Sequence, residues 1–134
     1  MFGMAKLVGM AVGGGALLLA LAGAQRPAVL AQTQGGLWEV SGIARPPAPQ
    51  RLCVADTVQL AQYEHRSGSC TRMIIRDTPS LAEIHYTCAG GGFGRSKVTL
   101  ITPRSLRIET QGISANAPFY YLLHARRVGN CRTH

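Results

Sequence analysis

The stretch Cys70-Thr71-Arg72-Met73-Ile74-Ile75-Arg76-Asp77-Thr78-Pro79-Ser80-Leu81-Ala82-Glu83-Ile84-His85-Tyr86-Thr87-Cys88 decides how the chain is read. In 81–88, Ala82, Ile84, Tyr86 and Cys88 share one face while Glu83, His85 and Thr87 share the other. That is the period of two of a half-buried strand. Residues 71–76 read as its partner, with Thr78-Pro79-Ser80 as the turn between them. Setting Asp77 opposite Leu81 brings Cys70 opposite Cys88.

The same alternation recurs outward from this hairpin. Residues 36–44 place Trp38 and Val40 on one face, and the Pro-rich run 46–49 keeps that strand from continuing centrally. A short strand follows at 51–54. Asp56 is then placed to cap a helix over 57–64, whose apolar stripe is Val58, Leu60 and Ala61. Downstream, 95–102, 105–111 and 119–128 alternate again, the first two joined by a tight turn at Pro103-Arg104. The expectation is a mainly β fold, an antiparallel meander of about seven strands with one short helix. Each strand has one apolar face that needs a second layer, so the sheet should curl into a barrel or half-barrel or pack on the helix. Trp38, Phe119, Tyr121 and Leu123 belong to its core.

Ahead of this pattern the chain changes character. Lys6 precedes an apolar run over 7–22, and no acid occurs before Glu39. This is the pattern of a secretory signal, and the run, with glycines at 9 and 13–15, is shorter than the ~20 residues a membrane span needs. Two small-residue motifs fit a signal peptidase, Ala22-Gly23-Ala24 before Gln25 and Val29-Leu30-Ala31 before Gln32. Pro27 breaks the helix just upstream of the second. The expected signal peptide is therefore 1–31 and the domain 32–134, with cleavage after 24 as the alternative. The product is expected to be exported and periplasmic.

The full chain of 134 residues carries a formal charge of +8. Without 1–31 it keeps +6 over 103 residues, and eleven of its twelve cations are Arg. In a cell envelope such a surface meets lipid headgroups, polyanionic saccharides or acidic proteins, whereas nucleic acid is not at hand. Cys53, Cys70, Cys88 and Cys131 all fall in 32–134, and an even count in a small exported chain reads as a disulfide framework. A zinc site would need ligand pairs of a kind that do not occur, so no metal or cofactor is expected. Two pairings stay open: Cys70 with Cys88 and Cys53 with Cys131, or Cys53 with Cys70 and Cys88 with Cys131.

Gly36-Leu37-Trp38-Glu39-Val40, Cys53 ahead of the acid-capped helix, the hairpin between Cys70 and Cys88, and the closing Arg126-Arg127-Val128-Gly129-Asn130-Cys131 resemble a bacterial exported family, domain of unknown function 3617. The resemblance covers nearly all of 32–134. It implies a signal peptide and a small β-rich domain, and it implies no activity.

The sequence offers little catalytic chemistry. Gly112-Ile113-Ser114-Ala115-Asn116 lacks the second glycine of a hydrolase elbow, and 89–96 lacks the lysine of a phosphate loop. His85 beside Glu83 and Thr87 is the one arrangement a general base would use, and a hydrolase would need it in a concave pocket. No catalytic residue is expected. Phe93 in the glycine-rich connection, with Tyr120, His124 and Arg126 on the last strand, forms the candidate binding surface. The functional reading is a non-enzymatic exported domain that binds an envelope component, whether apolar ligand, lipid or protein. The alternative is a small protein inhibitor or envelope stress partner that inserts the 90–94 loop into another protein's cleft.

Overall fold

Seven antiparallel strands form one sheet: β1 (Gly36–Ser41), β2 (Gln50–Val54), β3 (Cys70–Asp77), β4 (Leu81–Cys88), β5 (Phe93–Thr102), β6 (Ser105–Ser114) and β7 (Ala117–Gly129). The computed structural model describes residues 26–42 and 48–132, with the isolated glycines 3, 9, 13 and 14. Strand order is β2-β1-β7-β6-β5-β4-β3. β3 to β7 is a meander, and β7 then pairs antiparallel with β1. β2 and β3 are left as the two edges. The sheet is open, so the half-barrel expectation holds and the closed barrel does not. The expected signal peptide up to residue 25, apart from those glycines, and residues 43–47 of the first strand and its Pro-rich connection lie outside the described residues.

Because β2 and β3 lie at opposite edges, the chain between them crosses the sheet. It carries α2 (Val58–Ala61) and a 3-10 helix, Tyr63–His65, over one face. Asp56 opens this segment, its carboxylate accepting the Val58 N–H at 3.0 Å, but the single helix expected over 57–64 is divided, α2 ending at Ala61 and the 3-10 turn beginning at Tyr63. A second helix, α1 (Ala28–Ala31), lies beside it. These residues fall inside the signal peptide expected over 1–31; the described fold begins ahead of residue 32.

The strand registers define which side chains meet this layer. Ile74, Ile84, Ser96, Thr110 and Tyr121 form one row across five strands. Ala82, Val98, Ile108 and Leu123 form the next, and Leu100, Leu106, Ala125 and Val40 the third. Trp38, Val40, Val98, Leu106 and Ile108 have no exposed surface, and they pack with Val29, Leu30, Leu60 and Ala61 from the helices into one core. Trp38 keeps its indole N–H satisfied by donating to the Gln34 carbonyl at 3.0 Å.

Polar bonds fix the crossing segment to the strands beneath it. The Ser96 hydroxyl, fully buried, donates to the Ala61 carbonyl and lies 2.7 Å from Thr110 Oγ1. Tyr121 donates to Glu64 at 2.8 Å, and Arg72 donates to the Gln62 side chain at 2.9 Å. Each buried hydroxyl therefore has a partner, which burial without one would make costly.

The hairpin that opened the sequence reading shows one adjustment. Asp77 pairs with Ala82 rather than Leu81, and β3 absorbs the offset in a bulge at Ile75, so Cys70 still faces Cys88. The disulfides are Cys70–Cys88 and Cys53–Cys131, which selects the first of the two pairings. The second bridge fastens edge strand β2 to the residues after β7. No helix among the described residues is long and apolar enough to cross a membrane.

The two bridges close loops of different length, 78 residues for Cys53–Cys131 and 18 for Cys70–Cys88. Chain entropy then assigns about 4.5 kcal/mol to the first and about 3 kcal/mol to the second. Replacing Cys53 and Cys131 with Ser is expected to lower the urea midpoint more than replacing Cys70 and Cys88. Equal losses, or the reverse order, would refute that ranking.

Candidate functional site

The residues singled out from the sequence all lie on the sheet face opposite the helices. There His85, Arg95, Gln111 and Tyr120 form one cross-strand row and Glu83, Lys97, Glu109 and Leu122 the next. Phe93 lies in the row of Thr87, Ile113 and Pro118, His124 beside Arg107, and Arg126 opposite both Ser105 and Glu39. Phe93, Tyr120, His124 and Arg126 are exposed as expected, but they occupy four separate rows. Same-face neighbours along a strand are nearly 7 Å apart and adjacent strands nearly 5 Å. The four do not converge on one point.

What this face holds instead is a lattice of charge pairs. Glu83 lies 3.5 Å from His85 Nε2 and 3.9 Å from Arg95, and Glu39 lies 3.4 Å from Arg51 and 3.5 Å from Arg126. Tyr120 donates to Glu109 at 3.3 Å, and Ser105 Oγ is 3.0 Å from His124 Nε2. Exposed pairs of this kind contribute little individually and are screened by salt. His85 borders a shallow depression with Phe93, Arg95 and Gln111, and its carboxylate neighbour is shared with an arginine.

Phe93 is a strand residue, not a loop tip. It pairs with Thr87 and Ile113, and the turn proper is Ala89 to Gly92, with Gly90 and Gly91 at φ 97° and 98°. The glycines after it serve packing. Tyr86, Gly94, Gly112 and Phe119 form one row on the helix-covered face. The His65 ring sits between Tyr86 and Phe119, 5.4 and 5.7 Å from their centroids, with Nδ1 3.0 Å from the Tyr86 hydroxyl. A side chain at Gly92 would strike His65, and a Cβ at Gly94 would lie 2.5 Å from the Tyr86 ring.

A further concavity lies at the free edge of β3. It is a groove of about 400 Å³ between the helix layer and the edge strand, walled by Pro27, Val58, Met73, Ile74 and Ile84. Arg26, Asp56 and Arg72 complete its lining. Arg26 lies 3.1 Å from Asp56 and donates to Thr57 at 2.9 Å. Arg72 spends one of its five N–H groups on Gln62. Two guanidiniums thus face one carboxylate beside an apolar floor. Sequence reasoning missed this site because its parts come from four segments, one of them read as signal peptide.

These features define an open, single-sheet β domain with one face covered by a crossing segment and an apolar groove at one free edge. Comparison with protein-family models, with curated proteins and with solved structures found no match.

Two consequences follow from the Tyr86 cluster. Burial pushes the Tyr86 hydroxyl up to about 12 from an ordinary value of 10. The unfolded chain loses that proton first, so stability is complete below pH 10 and falls as pH rises toward 12. Burial also raises Tyr63, and the hydrogen bond to Glu64 raises Tyr121. Urea midpoints are expected to drop across this window, and Tyr86→Phe to reduce the drop; an unchanged slope would count against it. Gly94→Ala is expected to cost about 2 kcal/mol by overpacking the Tyr86 ring. Gly129→Ala, with nothing within 4 Å of the added methyl, serves as the neutral control in the same denaturation series.

Proposed function

We propose that the chain is an exported, non-enzymatic binding domain of the cell envelope whose ligand is an anionic amphiphile held in the groove at the β3 edge. The observation that carries this reading is the groove itself, where apolar walls from Val58, Met73, Ile74 and Ile84 adjoin two guanidiniums and one carboxylate. An apolar chain gains by leaving water there, and an anionic end meets a local excess of one positive charge. The volume falls within the range of small-molecule sites. Export is supported by the apolar run over 7–22 after Lys6 and by two disulfides, which persist in oxidising compartments. Kinship with the exported family of unknown function resembled at 36–40 and 126–131 is part of the same proposal.

A fluorescent fatty-acid carboxylate, titrated into the purified disulfide-bonded protein, tests the site. Saturable binding is expected, with Arg72→Ala weakening it roughly tenfold, the worth of one charge-assisted hydrogen bond. Ile74→Trp, which fills the groove, should abolish it while the urea midpoint shows the domain still folded. Absence of binding, or binding indifferent to both substitutions, removes the proposal.

A further inference from the structure

We infer that the chain is processed once, between Ala24 and Gln25, and that Arg26 to Ala31 stay as an integral part of the folded domain. The inference rests on the proposed export. In the step itself water adds across the Ala24–Gln25 amide, leaving a carboxylate on Ala24 and a new amine on Gln25. Both Ala22-Gly23-Ala24 and Val29-Leu30-Ala31 offer a peptidase the small residues it requires. The fold distinguishes them.

Val29 and Leu30 have no exposed surface and belong to the same core as Trp38, Leu60 and Ile108. Pro27 is buried and its φ of −53° leads directly into α1. The Ala28 N–H donates to Asp77 Oδ1 at 2.8 Å, fastening α1 to the end of edge strand β3. Arg26 donates to Thr57 Oγ1 at 2.9 Å and lies 3.1 Å from Asp56. Thr33, kept by either cut, is buried and donates to the Leu30 carbonyl at 2.7 Å.

A cut after Ala31 would remove α1 entirely, taking two fully buried aliphatic side chains out of the core. It would also remove one hydrogen bond each from Asp77, Thr57 and Thr33, leaving the last two bonded to each other, and it would delete two residues that line the groove, Arg26 and Pro27. Empty core volume is among the most destabilising changes a domain can suffer. A cut after Ala24 removes none of these contacts.

The test is intact mass and N-terminal sequencing of the full chain produced in an exporting bacterial host and recovered outside the cytoplasm. The expected product begins at Gln25. Ala24→Tyr, which places a bulky residue at the cleavage position, should accumulate uncut precursor rather than product beginning at Gln32. Fusions of a foreign signal directly ahead of Gln25 and of Gln32 complete the set. The Gln25 form should melt cooperatively, and the Gln32 form should melt lower by ~10 °C or more, or show no transition. Exported protein beginning at Gln32, or equal melting of the two fusions, overturns the inference and leaves export standing. A chain retained uncut in the cytoplasm overturns export and the cut together.

Discussion

The chain leaves the sheet at β2, on one edge, and re-enters it at β3, on the other, so it must cross a face seven strands wide. The rest of the structure depends on how that crossing is held down. Residues 56–66 supply little helix of their own, since a four-residue α-helix and one 3-10 turn are far too short to persist in isolation. They stay ordered because Leu60, Ala61 and Tyr63 are buried against the strands and because Ser96, Tyr86, Tyr121 and Arg72 each bond a group on the crossing segment. The apolar face is thereby covered from one side only, and closure into a barrel becomes unnecessary.

An open sheet leaves two edges, and the molecule treats them differently. β2 is short and is tied by Cys53–Cys131 to the residues after β7. β3 is longer and mostly exposed, yet it carries Arg72 and Arg76 and a bulge at Ile75, features that discourage pairing with a second chain. Along its inner side Ile74 and the neighbouring β4 residue Ile84 line the groove. The groove proposed to hold an amphiphile lies at this edge, while on the opposite face Glu39 and Glu83 pair with Arg51, Arg126 and Arg95.

The N-terminal segment links these two themes. α1 completes the core through Val29 and Leu30 and at the same time forms one wall of the groove through Arg26 and Pro27. Four helical residues are too few to give a periodic signal, and their small and aliphatic composition is also that of a signal peptide's end. Only burial distinguishes the two meanings.

Much of the fold was legible because local patterning decides it. The period-two alternation in 81–88, 95–102 and 105–111 survives in the structure nearly residue for residue, as does the exposed set Phe93, Tyr120, His124 and Arg126. Asp56 capping and the four cysteines were equally readable, being matters of side-chain chemistry close to the backbone that carries them. The pairing of those cysteines, the bulge that preserves it, the role of Gly92 and Gly94 in seating His65 and Tyr86, and the groove at β3 were decided only by tertiary structure. The physical reason is range: a strand's two faces are set by neighbours two residues apart, whereas these features join different segments of the chain, 18 and 78 residues apart for the two disulfides, whose meeting depends on which edge the crossing chain reaches.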